Sequence, residues 1–241
     1  MANLSKADLH IHTLASDGTA SAAEVLDFVA NHTDLRLIAI TDHDTIAGAV
    51  QASKFADYYG IEVIVGEEVS TQEGHLLALF IEQPVPSHRP ALETIEAIHA
   101  QGGLAIAPHP FDRYVDSLGK HGDLHPEWRF DAIEAFNASV MWPQSNANRK
   151  AKQFALQRQT AMVGGSDAHT LKTIGQAYTT FAGRSANDLY RAIRSGQVGF
   201  AGRYWSLGQH IEVVSQMVSQ HGWRGLFEHA LVGSGLTVRR G

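Results

Sequence analysis

Apolar and polar positions along the chain fall into two alternating periods. Compact apolar runs at residues 7–13, 35–41, 61–70, 75–81, 104–107, 131–136 and 161–164 read as strands. Between them, residues 21–32, 46–59, 90–101, 146–159 and 185–195 read as helices. Ser21 with Glu24 three residues on is a capping-box signature, which satisfies free backbone donors at a helix start. Gly60 and the Gly102–Gly103 pair stop two further helices. Only TQEG separates the runs at 61–70 and 75–81, which predicts a hairpin. Residues 113–128 are polar, contain Gly119 and Gly122, and read as a loop over one face. Residues 210–231 place Ile211, Val214 and Val218 at helical spacing, a segment expected to pack on the rest of the fold or on a partner subunit.

Strands alternating with helices predict an α/β fold with a mainly parallel sheet, open or closed into a barrel. A length of 241 residues suits one domain of the larger kind. The expectation is a single domain over 1–241, with the barrel at about 7–203 and a C-terminal helical segment at about 208–232. No stretch approaches the roughly 20 apolar residues of a membrane span. The opening MANLSKADLH lacks the basic and apolar regions of a signal peptide, so the cytoplasm is the expected location.

The absence of cysteine restricts any metal site to nitrogen and oxygen ligands. A net charge of −6 argues against a broad grip on long nucleic acid, while leaving room for a local basic pocket. The anomaly is histidine, at 14 against 19 lysines and arginines together. Many of the histidines and carboxylates fall where strands end. His10 and His12 close the first run, and Asp42, His43 and Asp44 follow the second. Glu67 and Glu68 end the third, His109 follows LAIAP, and Asp167 and His169 follow MVGG. In a parallel barrel these ends meet at one mouth. His10 and His12, two apart on a strand, point to the same side. Asp17 can reach back over that mouth, and Glu68 and His75 face each other across the hairpin turn. Any one of these motifs alone could be a turn or a cap. Their conjunction points to metal, with His10, His12, His43, His75, His109, His169, Asp17, Glu68 and Asp167 as candidate ligands. Imidazole suits zinc, manganese or iron, and so mixed a set suits two or three divalent ions. Of the neighbouring glutamates, Glu68 is taken as the ligand, with Glu67 as the fallback and otherwise solvent-facing or supporting. Glu134 and Asn137 either orient ligands or serve the structure. His32, His88, His99, His121, His125, His210, His221 and His229 lie off the pattern, with His121 and His125 in the loop that could act as a lid.

The segments DLHIHT (8–13), SDG (16–18), TDHD (41–44), GEEVS (66–70), GHLLALF (74–80), APHP (107–110), IEAFN (133–137) and GGSDAH (164–169) resemble, in order, the PHP family, the polymerase and histidinol phosphatase superfamily. The resemblance runs from residue 8 to about 182. It implies a distorted seven-stranded β/α barrel with a trinuclear metal site at the C-terminal ends of the strands. His10, His12, Glu68 and Asp167 would share one ion, Glu68 would bridge to a second held by His75 and His109, and Asp17, His43 and His169 would hold a third. Some members have histidine where Asp17 stands, and the position of Glu67 is usually apolar. Asp42 would orient His43 or a neighbour.

The implied chemistry is phosphoester hydrolysis by a metal-bridging hydroxide, the third ion steadying the leaving oxygen. His169 and Asp42 are candidate proton donors. Arg113, Arg149, Lys150 and Lys172 are candidate phosphate-binding cations. The expected substrate is a nucleotide or short oligonucleotide. Histidinol phosphate, an amide substrate, and a metal-bound regulatory module without turnover are the alternatives.

Overall fold

The computed structural model describes residues 4–122, 124–141 and 146–232, with side chains described as far as residue 219. His221 and His229, and the end of the predicted C-terminal segment, lie outside the described side chains. In chain order the elements are β1 (Ser5–Asp8), α1 (Ala22–His32), β2 (Leu37–Ile40), α2 (Ala47–Ser53), α3 (Ala56–Tyr59), β3 (Glu62–Ser70), β4 (His75–Leu79), α4 (Ala91–Ala100), β5 (Leu104–Ala107), β6 (Ala132–Asn137), α5 (Ala147–Arg158), β7 (Ala161–Gly165), β8 (Ala177–Phe181), α6 (Ala186–Arg194), β9 (Val198–Gly202) and α7 (Leu207–Val232).

The strands form a single nine-stranded sheet in the order β7-β6-β5-β4-β3-β2-β1-β8-β9, where seven were expected from the sequence. The two additional strands are β8 and β9. Only β4 and β8 run against the common direction, because each pairs antiparallel with both of its neighbours. The sheet curls until β7 lies against β8 and β9. One side chain fastens that seam. The Thr179 hydroxyl accepts from the Gly164 N–H at 3.0 Å and donates to the Gly164 carbonyl at 3.0 Å. A Cβ at Gly164 would lie 2.9 Å from the Tyr178 carbonyl oxygen, so glycine permits the approach.

An apolar cluster drawn from every strand between β1 and β8 fills the interior, with Leu37, Leu77, Leu104, Val163 and Phe181 among its members. Leu189, Ala192 and Ile193 of α6 join it. Two further clusters pack helices on the outside, α1 and α2 against one part of the sheet and α4 and α5 against another.

Two expectations shift locally. The run 7–13 pairs as a regular strand only to Asp8. Beyond it single contacts take over, with the Ile11–Ala168 bridge and the bond from Thr41 N–H to the Ile11 carbonyl. The Asp8 carboxylate takes the Ser166 and Gly175 N–H groups, which would otherwise seek ladder partners. The helix predicted over 46–59 breaks into α2 and α3, because Phe55 and Tyr58 bond three residues back and tighten the chain. The start of α7 packs on the mouth side. Val213 and Met217 join Trp205 and Ala177, and Gln216 meets Thr19. No helix among the described residues is long and apolar enough to cross a membrane.

Candidate metal centre

The mouth is built from strand ends. Beyond β1, His10 and His12 turn toward the opening while Leu9 and Ile11 enter the apolar core. The tight turn after Thr13 carries Asp17, held by bonds from the Ser16 and Gly18 N–H groups to the Thr13 carbonyl. His43 follows β2 and bridges to Glu68 of β3. β4 runs downward, so its first residue, His75, starts at the mouth. His109 follows β5, and Asp167 and His169 follow β7.

Glu68 is the hub. Its Oε2 lies 3.0 Å from His10 Nε2, 3.2 Å from His12 Nε2 and 3.7 Å from His43 Nε2. Its Oε1 lies 3.1 Å from His75 Nδ1 and 3.0 Å from His109 Nε2. Asp167 Oδ1 sits 3.4 Å from Nε2 of both His10 and His12. Asp17 Oδ2 sits 3.1 Å from His169 Nε2 and 3.9 Å from His43 Nε2. Nitrogen and oxygen ligands lie about 2.0–2.2 Å from zinc, so donors that share an ion stand about 3.0–3.5 Å apart. The shorter contacts have that separation. All nine candidate ligands fall into four overlapping groups whose donor atoms lie within 4.8 Å of one another. Nε2 of His12, the ring nitrogen that faces Glu68 and Asp167, is buried without a hydrogen bond of good geometry, the condition of an imidazole poised for a ligand. The donor set therefore fits divalent metal. Side chains of His43, His75 and His169 are 14–16% exposed and form the open rim.

A surrounding layer sets the ligands' orientation. His10 Nδ1–H donates to Glu134 Oε1 at 3.2 Å, which turns the Nε2 lone pair toward Glu68 and Asp167. Glu134 Oε2 accepts from the His109 backbone N–H and from Asn137 Nδ2. Asn137 Nδ2 and the Ser139 hydroxyl both donate to Asp167 Oδ2. His169 Nδ1–H donates to the Asp167 carbonyl at 2.9 Å and leaves Nε2 facing Asp17. His109 and Asp167 hold φ of 29° and 55°, left-handed values that side-chain-bearing residues adopt at a cost of about 1–3 kcal/mol. A Cβ at Gly165 would fall 2.3 Å from Glu134 Oε1 and 2.7 Å from His10 Cβ, which explains the second glycine of GGSDAH.

Asp42 is outside the convergent set. Its carboxylate accepts from the Thr13 N–H and hydroxyl and from the Ser16 hydroxyl, so it braces the turn that carries Asp17. Of the readings of Glu67, the solvent-facing one is overturned. Glu67 is fully buried on the opposite face of β3, accepts from the Val85 N–H, and burial pushes its carboxyl up to about 7. Arg113 lies in the loop after His109, and Arg149 is exposed on α5. Lys172 pairs with Glu212 of α7 at 2.7 Å. Among the off-pattern histidines, His99 pairs with Asp131 and His210 bonds the Ser139 carbonyl. Ser139 is the contributor that the sequence reading missed; its position two residues beyond Asn137 was the available signal.

The electrostatics follow from crowding. Burial opposes charge on His12, yet Asp17, Asp167 and Glu68 raise it to about 10. Burial likewise opposes, and Asp167, Glu68 and Glu134 outweigh, so that His10 is raised well above its ordinary value. Burial lowers His43 to about 3. Against burial, neighbouring imidazoles hold Asp17, Glu68 and Asp167 well below the usual carboxylate range. Without metal the cluster retains protons that divalent ions would replace.

Residues 8–162 match the PHP domain family, and residues 145–198 match the family described as PHP-associated. An uncharacterized protein of Methanocaldococcus jannaschii is 40% identical over 144 residues, covering 55% of this chain and 82% of that protein. A 5'-3' exoribonuclease of Haemophilus influenzae is 36% identical over 105 residues, 42% of this chain and 38% of that enzyme. Among solved structures, a two-domain protein from Bacteroides vulgatus, containing a predicted PHP-like metal-dependent phosphoesterase, superimposes with a TM-score of 0.70 at 19% identity, over 84% of this chain and 66% of that one. The histidine and carboxylate cluster at the mouth and the match over most of the barrel agree: the chain belongs to the PHP domain family of metal-dependent phosphoesterases.

Proposed function

We propose that this chain hydrolyses phosphoester bonds in nucleotides or short oligonucleotides, using two or three divalent ions of manganese, iron or zinc. The observation that carries the reading is Glu68, whose single carboxylate faces five imidazoles with Asp167 and Asp17 on its flanks. His10, His12, Glu68 and Asp167 would hold one ion, Glu68, His75 and His109 a second, and Asp17, His43 and His169 a third. Bound there, divalent ions supply Lewis-acid charge for phosphoryl oxygens and lower the pKa of a coordinated water.

The protein's own part is orientation. Glu134 fixes the His10 tautomer, Asn137 and Ser139 fix Asp167, and Asp42 fixes the Asp17 turn. The bond from His169 Nδ1–H to the Asp167 carbonyl aims Nε2 at Asp17, which suits His169 as a ligand rather than as the donor of the leaving-group proton. The rim of His43, His75 and His169 is the approach for a phosphate.

The test is turnover of p-nitrophenyl phosphate, adenosine 3′,5′-bisphosphate, short RNA and histidinol phosphate with each metal added. His12→Ala should lower metal-dependent turnover by at least about 100-fold, and a chelator should abolish it. Full turnover by His12→Ala would sink the reading. Activity confined to histidinol phosphate would move the substrate, and elemental analysis showing bound metal without turnover would favour a regulatory module.

A further inference from the structure

Four of the chain's 19 lysines and arginines lie together on one helix. α5 carries Arg149, Lys150, Lys152 and Arg158 with no acidic residue, in a chain of net charge −6. Beside it runs a groove of about 590 Å³. Arg113, Lys120 and His121 of the loop after β5 form one wall, and Lys150, Gln153 and Gln157 of α5 form the other. Phe111 and Phe154, their rings 5.8 Å apart, lie between. None of the described residues lining the groove is acidic.

Both walls are fastened to the metal centre. In the loop, Asp112 N–H donates to the His109 carbonyl at 2.9 Å and Gly119 N–H to the Pro110 carbonyl at 2.7 Å. The Asp116 carbonyl accepts from the His75 N–H at 3.0 Å. The loop thus rests on the two histidines that face Glu68 Oε1. In the helix, Asn148 Oδ1 accepts the Asn137 N–H and its Nδ2 donates to the Asn137 carbonyl. Asn137 in turn holds Asp167. Past Phe154 a second groove of about 480 Å³ adds Arg129 and Arg158, while its Arg194 is paired with Asp131 at 2.7 Å. Twelve helical residues span about 18 Å, more than a single nucleotide requires.

We propose that this groove holds the non-scissile phosphates of a single-stranded oligonucleotide, so that the preferred substrate is a strand rather than a free nucleotide. The proposal rests on the phosphoester reading and names its substrate class. Lysine, arginine and carboxamide N–H groups on two walls suit the repeated anions of a backbone, and their positive field is local enough to coexist with a negative chain.

The test keeps the metals in place and measures anisotropy of a labelled, hydrolysis-resistant phosphorothioate pentanucleotide. Lys120→Ala/Lys150→Ala should weaken binding about tenfold at low salt. It should also flatten the plot of log affinity against log salt by about 1.4, since each single-strand phosphate contact contributes about 0.7. Lys54→Ala, on the α2–α3 turn and outside both grooves, controls for the loss of a single charge. The ratio of kcat/KM for the natural pentanucleotide to that for p-nitrophenyl phosphate should fall by the same factor in the double variant. Unchanged affinity and ratio, or an equal effect from Lys54→Ala, would overturn the groove. Adenosine 3′,5′-bisphosphate binding as tightly as the pentanucleotide would overturn the strand and leave a single extra phosphate. Wild-type protein that turns over neither substrate would instead overturn the phosphoester reading, while the binding comparison still decides the groove.

Discussion

Glu134 touches no ion in the proposed centre, yet two of its ligands depend on it. It holds His10 by the ring and His109 by the backbone, and Asn137 leans on it as well. Glu134→Gln keeps the volume and removes the charge, and one of its terminal atoms becomes a donor facing a donor. Metal affinity should fall about 10–100-fold while the fold persists, as read by competition with a chromophoric chelator. An unchanged affinity would mean that Glu134 serves only packing. At this scale the sequence was readable for ligand types and for the Glu68–His75 pair across the hairpin turn, and less so for the surroundings of Glu67. Strand alternation puts Glu67 and Glu68 on opposite faces, but it does not say which face is the mouth. Only the register of β3 with β4, which sets Glu68 opposite Leu77 and Ser70 opposite His75, decides it. Glu67 is buried because its face is covered by the chain around Val85, a contact between segments that no local pattern announces.

The elements show the same division. Helix α1 was readable with its cap, and the β3–β4 hairpin with its turn, because the determinants lie within a few residues. β8 and β9 were not. AYTTF is short, and VGFAG contains two glycines that read as loop. They are strands because the barrel has to close, and closure depends on Thr179 meeting Gly164. Thr179→Val preserves shape but strands the Gly164 N–H and carbonyl, both at a buried seam. Denaturant unfolding should show a loss of about 2–4 kcal/mol. A loss below about 0.5 kcal/mol would mean that the seam is held by apolar contact alone.

For the whole molecule, the metal centre ties stability to pH. In metal-free protein, His10, His12, His109 and His169 have raised values. Their contribution is complete below the ordinary imidazole value of 6.5 and is lost as pH rises through the folded values, about 10 for His12. His43, lowered to about 3, acts oppositely, and its contribution fades as pH falls from 6.5. Asp17, Glu68 and Asp167, all depressed, add to the loss once pH falls below their ordinary values of 3.8 to 4.5. Glu67 and Asp8, pushed up by burial to about 7 and about 6, favour acid and oppose His43 between about pH 4.5 and 6.5, so the expectation is a metal-free Tm that falls as pH rises above 6.5. Added manganese should raise Tm most on the alkaline side, because ligands must shed protons to bind, the stabilisation reaching about 2.7 kcal/mol at a hundred times Kd. A metal-free Tm that climbs from pH 6.5 to 9 would contradict this account of the cluster.

By itself the sequence determined that this protein has an α/β fold with strand ends rich in histidine and carboxylate, and no thiolate to compete for metal. Those properties follow from residue type and local period, which every short window of the chain carries. The tertiary structure decided that the sheet has nine strands, and that Glu68, already read from the sequence as the ligand, faces five imidazoles. It also brought the loop after His109 and helix α5 together as the walls of one basic groove. Each of these depends on segments distant in sequence meeting at distances of a few ångströms, and such distances are set by closure of the whole barrel rather than by any stretch of it.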